Sequence, residues 1–140
     1  MHHEEKRKHG HDRRREERRK QAHGFVIFRF KKGGISMADT LLTGETAIFG
    51  EVPTPSGAVL PAGVIPAWTV SDVTVATIPA TNPDVTGVTV PVTGVAAGTF
   101  TLTVTATLPN GTVIQGTDSI TVSAPAPPAP TGLSISKISG

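Results

Sequence analysis

Between Thr99 and Leu108 the chain reads TFTLTVTATL, an unbroken alternation of apolar and hydroxyl side chains. Phe100, Leu102, Val104, Ala106 and Leu108 fall on one side of an extended backbone, and Thr99, Thr101, Thr103, Thr105 and Thr107 on the other. A helix would scatter both sets around its circumference, whereas a strand separates them cleanly. One face is dry and one wet, so the segment predicts a half-buried antiparallel strand whose apolar side needs a second layer to cover it. Pro109-Asn110-Gly111 follows. Asn-Gly predicts a two-residue hairpin turn, because both positions tolerate positive φ, with a return strand from about Thr112. Ser119–Ser123 alternates again, with Ile120 and Val122 inward, and Gly116-Thr117-Asp118 predicts a bulge or bend before it.

Upstream, shorter β-prone runs are separated by Pro and Gly. Strands are predicted over 46–52, 64–70, 75–78 and 85–92, with turns at Pro53-Thr54-Pro55-Ser56-Gly57, Pro61-Ala62-Gly63, Asn82-Pro83-Asp84 and Ala97-Gly98. Six or seven short strands at this spacing, with no helical period, predict an all-β sandwich. Trp68, the lone Trp, is expected in the core on a central strand. Val92 and Val95 are expected to fill the core beneath the long strand, with Gly94 and Gly98 shaping the connection into it. Asp72 is expected to bond the backbone of its own turn rather than an ion. The chain of 140 residues suits one domain with tails. Aromatics are 4% of it, so Val, Ile, Leu and Ala must do most of the packing. No Cys is present, which excludes disulfides and leans towards assembly in a reducing compartment. No apolar run approaches the ~20 residues a membrane helix needs.

Charge divides the chain. Residues 1–36 hold twelve of the thirteen Lys/Arg, five acids and all five His, while residues 37–140 hold six acids and only Lys137. The basic balance therefore belongs to the leader. Its run EEKRKHGHDRRREERRK has no apolar stripe to bury. Three readings compete for residues 1–36. The first is a basic arm that meets nucleic acid or an acidic surface through Arg13, Arg14, Arg15, Arg18, Arg19 and Lys20. The second is a solvated charged tail. The third is an upstream extension, since Lys-Lys-Gly-Gly is what a purine-rich ribosome-binding site encodes, and Met37 follows at a plausible spacing. Arg29 interrupts the apolar run FVIFRF, which argues against a signal peptide. The zinc-protease pattern H-E-x-x-H fails at Arg7. With every His in the leader, the remainder lacks the base that a nucleophilic triad needs. The expectation is a protein that is no enzyme and that takes no metal or cofactor.

Several segments resemble one family. WTVSDVTVATI (68–78) and VTGVAAGTFTLTVTAT (92–107) are similar to the corresponding segments of bacterial Ig-like domains of the invasin/intimin type. Gly44-Glu45-Thr46 and the closing Ile120-Thr121-Val122 resemble theirs as well, in the right order over about 80 residues. The Pro/Gly-rich stretch 51–63 departs from the usual loop. The resemblance implies an Ig-like antiparallel β-sandwich over 37–124, between a basic extension (1–36) and a Pro-rich arm (125–140).

That arm opens with Pro125-Ala126-Pro127-Pro128-Ala129-Pro130, a polyproline II spacer. TGLSISKISG follows, similar to the first strand of a fibronectin type III domain, and Leu133, Ile135 and Ile138 make it a candidate assembly arm. Ig-like domains of this type occur in structural proteins of tailed bacteriophages and in surface adhesins. The resemblance implies a structural protein of a phage-type virion, a capsid decoration or head/tail accessory assembled in the host cytoplasm. The alternative is a cell-surface or secreted adhesion module. The expected partners are other virion proteins or copies of itself, weakly bound cell-surface carbohydrate, and nucleic acid if the leader belongs to the protein. No membrane insertion is expected.

Overall fold

The computed structural model describes residues 21–31, 33–36 and 40–132. Nine strands follow in order: β1 (Gly24–Lys31), β2 (Gly34–Ser36), β3 (Thr40–Leu42), β4 (Thr46–Thr54), β5 (Ala67–Val70), β6 (Ala76–Thr77), β7 (Thr89–Gly94), β8 (Gly98–Thr107) and β9 (Val113–Ser123). They form two sheets, β2-β1-β4-β7-β6 and β3-β9-β8-β5. Without the short β2 and β3, the spatial order β1-β4-β7-β6 facing β5-β8-β9 is the immunoglobulin constant-type arrangement. Among the described strands the pairings are antiparallel except β3 against β9, which is parallel, and an isolated parallel bridge joins Gln21 to Val59.

The alternation in the long strand does what its period requires. Phe100, Leu102, Val104 and Ala106 are buried, and the threonines between them face outward. They meet Phe25, Ile27, Phe49, Val90 and Val92 from the opposite sheet, with Leu41, Ile120 and Val122 closing one end. Trp68 is in this core, and its indole Nε1 donates to the Gly87 carbonyl at 2.7 Å.

Several expectations need correction. The sandwich does not begin at residue 37. β1 lies between β2 and β4, pairs with β4 from Gly24↔Thr54 to Arg29↔Phe49, and sends Phe25 and Ile27 into the core. FVIFRF thus joins the fold as an inner strand, because its alternate residues supply apolar area that the opposite sheet needs. Trp68 sits on β5, an edge strand rather than a central one. Val95 is 45% exposed where the chain passes from one sheet to the other, while Val92 is fully buried.

The bend at Gly116-Thr117-Asp118 is absent. β8 and β9 pair one-for-one from Gly98↔Val122 to Thr107↔Val113. Gly116 faces inward, where β1 crosses, and a Cβ there would lie 2.5 Å from the Phe25 carbonyl oxygen. The glycine serves close approach of the two sheets, not curvature of its strand. The β8–β9 turn also differs from a two-residue Asn-Gly turn. The Gly111 amide donates to the Leu108 carbonyl at 2.9 Å, which places Pro109 and Asn110 at the turn centre. Of the turn residues Pro109, Asn110 and Gly111, Gly111 alone has positive φ, +82°. Pro109 fixes its own φ near −65° and so cannot start a mirror-image turn. The result fits a three-residue loop with a glycine bulge.

Candidate functional site

Arg13, Arg14, Arg15, Arg18, Arg19 and Lys20 lie outside the described residues, as do Leu133, Ile135 and Ile138. What the folded body offers is its two broad outer faces and a few polar groups set into or around the core.

The outer face of the β3-β9-β8-β5 sheet is a lattice of hydroxyls. Register places Thr40, Thr121 and Thr99 in one row, Ser119 and Thr101 in the next, and Thr117, Thr103 and Thr69 in a third. Rows of this kind repeat at about 4.8 Å across strands and about 6.8 Å along them. Some hydroxyls bond one another, as Thr99 Oγ1 and Thr121 Oγ1 do at 3.4 Å. Near one end, Ala62, Val64, Ala67, Thr105 and Pro109 border an open depression of about 400 Å³. This face can exchange hydrogen bonds with hydroxyl-rich surfaces.

The outer face of the β2-β1-β4-β7-β6 sheet has the opposite character. Val26, Phe28 and Phe30 of β1 and Ile48 and Val52 of β4 point outward, and the Phe28 and Phe30 rings meet edge to face with centroids 5.0 Å apart. Both rings lie over Gly50, where a Cβ would come within 2.9 Å of each.

Two charged side chains point inward from the same sheet. Arg29 shares the inward register of Phe25 and Ile27, and its guanidinium donates to the Thr40 carbonyl and to Glu45 Oε1. Glu45 Oε2 in turn accepts the Leu42 amide at 2.8 Å. One arginine thereby ties β1 to β3 and to the turn that opens β4. Glu51 follows Ala47 and Phe49 on the inward side of β4, is 4% exposed, and has one carboxylate oxygen without a hydrogen-bond partner. Burial pushes its pKa up to about 7. Neither role was anticipated, though the signal existed: each residue occupies an inward position of a strand whose alternation is visible.

The loop acids are committed to backbone. Asp72 accepts from the Thr74 hydroxyl at 2.6 Å and the Thr74 amide at 2.9 Å, as its turn predicted. Those bonds hold its carboxyl below the ordinary value. Asp84 organises the chain between β6 and β7: it accepts from the hydroxyls and amides of both Thr86 and Thr89. The hydroxyl bonds from Thr86 and Thr89 come first among the causes holding it well below the usual carboxylate range. Asn82 assists through Nδ2, which donates to the Thr89 carbonyl at 2.7 Å.

Among the described residues no group of three or more His, Cys, Asp or Glu is placed to hold a metal ion. No helix among them is long and apolar enough to cross a membrane. No protein-family model and no curated protein matches the chain.

Proposed function

We propose that this protein works by attachment and display: a structural component of a phage-type virion, a capsid decoration or head/tail accessory whose Ig-like sandwich is presented on the particle. The observation that carries this reading is the contrast between the two outer faces. A hydroxyl lattice on one side remains hydrated and suits weak contact with carbohydrate or cell surface. The apolar face on the other suits permanent contact with protein. The segments resembling bacterial Ig-like domains of the invasin/intimin type support the same reading, as do the apolar residues Leu133, Ile135 and Ile138 that follow the Pro-rich spacer in sequence, through which assembly would proceed. Electron microscopy of particles from the source culture, with mass spectrometry of their proteins, tests it. Density for the sandwich at symmetric positions on heads or tails is the expected result. Recovery of the protein only in a cell-envelope or secreted fraction would replace this assignment with the adhesion module.

A further inference from the structure

We propose that the apolar outer face formed by β1, β4 and β7 is a self-association surface, on which a second copy of the chain docks by the same face. The outward positions of β1, β4 and β7 are Val26, Phe28, Phe30, Thr46, Ile48, Gly50, Val52, Thr89, Pro91 and Thr93, and none is charged. Val26, Phe30, Ile48 and Val52 are 41–47% exposed. They are contiguous. Val26 pairs directly with Val52, Ile48 pairs with Pro91, and Phe30 and Ile48 line one depression whose edge is charged by Arg29, Lys31 and Glu45. Such a patch is on the order of 400 Å², the size at which apolar surface on a soluble protein becomes functional. With its threonine rim it reaches roughly 500 Å², below the ~800 Å² that each partner contributes to a standard interface, as suits a concentration-dependent dimer. An apolar centre and a polar rim is also the composition such interfaces have. Thr46 and Thr93, whose hydroxyls lie 2.7 Å apart, belong to that rim.

Charge and chemistry choose the occupant. Residues 4–20 are almost wholly charged or polar and would bury ions against an apolar centre, while the charged edge beside Phe30 and Ile48 carries two cations, Arg29 and Lys31, against the single acid Glu45. The Thr/Ser face of another copy would lose its hydration for no gain in apolar contact. The C-terminal arm offers three apolar side chains, Leu133, Ile135 and Ile138. A second copy of this face offers more, and the outward positions of β1, β4 and β7 that would meet carry no charge. Two such sheets stack at about 10 Å, with strands within about 30° of one another. A two-fold axis through the contact makes it isologous and closed, so association stops at the dimer. The two hydroxyl lattices then face outward from a four-layered body.

Light scattering after gel filtration, on the full chain at loading concentrations from about 5 to 200 μM, tests the proposal alongside V52E and a chain ending at Pro130. Val52 is half exposed on the outer side of β4, so V52E should keep the far-ultraviolet dichroism and cooperative melt of the parent. I48K serves as the second variant if V52E melts early. The expected result is a dimer for the full chain and for the shortened chain, with dissociation at least tenfold weaker in V52E or I48K. A monomeric full chain at 200 μM overturns the proposal, and so does a dimer that both folded variants leave unchanged. Loss of the dimer on removing residues 131–140 would give the face to the C-terminal arm instead.

Discussion

Glu51→Gln should flatten the dependence of stability on pH and make the protein the more stable one above neutrality. The carboxyl is 4% exposed, with one oxygen unpartnered, and it holds its proton in the folded chain until about pH 7 against an ordinary value of 4.5. The unfolded chain ionises near the ordinary value, so it binds fewer protons than the folded chain throughout that window. Stability therefore falls as pH rises from about 4.5 to about 7 and stays at the lower level beyond it. At about 1.36 kcal/mol per pH unit, the ceiling on the loss is about 3 kcal/mol, and water reaching the carboxylate reduces it to about 1–3 kcal/mol. The glutamine amide is neutral at every pH. Its extra donors cost something in the same pocket, about 1 kcal/mol, but that cost does not vary with pH. Urea unfolding followed by fluorescence of the lone Trp68, at pH 5, 6, 7 and 8, separates the two terms. With a slope of roughly 1–3 kcal/mol per molar urea, the parent midpoint should fall by about 1 M across the series while that of E51Q holds. The histidines are common to both chains and cancel in the difference. Parallel midpoint curves for the two proteins would refute the argument, because a solvated carboxylate produces no such difference.

Three further outcomes follow from the packing. Gly116→Ala puts a methyl group 2.5 Å from the Phe25 carbonyl oxygen, so the sheets must part locally; thermal melts should show a loss of about 2–3 kcal/mol. Trp68→Phe removes the 2.7 Å bond to the Gly87 carbonyl and leaves a buried acceptor without its donor, at about 1–3 kcal/mol by denaturant titration. Removing residues 1–36, so that the chain starts at Met37, deletes an inner strand with Phe25 and Ile27; the product should lack a cooperative melting transition, whereas normal folding would show β1 to be dispensable.

What the sequence makes legible is whatever is local. Thr99–Leu108 announces a strand and its inward face because the whole signal lies within ten residues. Asp72 announces its turn for the same reason. The strand character of FVIFRF is equally plain, but its place in the fold is not. Its partners are β4, some twenty residues on, and the inner face of β9, some ninety on, and the charged run before it pulls the eye towards a tail. Edge or centre for Trp68 is again a matter of which strands come together, and no local pattern carries it. Gly116 shows the ambiguity of glycine: a bend and a close approach look identical until the crossing strand is known. The buried Glu51 and Arg29 were legible by parity alone, had a charge at an inward position been taken at face value. For the outer faces, the threonine lattice was visible in sequence, whereas the apolar one became visible only when β1 and β4 were side by side.

The position of β1 also sets an order of events during synthesis. GFVIFRF is among the first parts of the fold to leave the ribosome, yet the strand whose glycine receives its backbone, β9, is made last. At about 5–20 residues per second the wait lasts several seconds, during which Phe25 and Ile27 have no finished core to enter and Phe28 and Phe30 add a second apolar face. The dense charge of residues 4–20, fused directly ahead, is of the kind that keeps such a segment from aggregating in the interval. A nascent chain arrested before Val113 and stripped of those charges should therefore pellet where the charged one stays in solution.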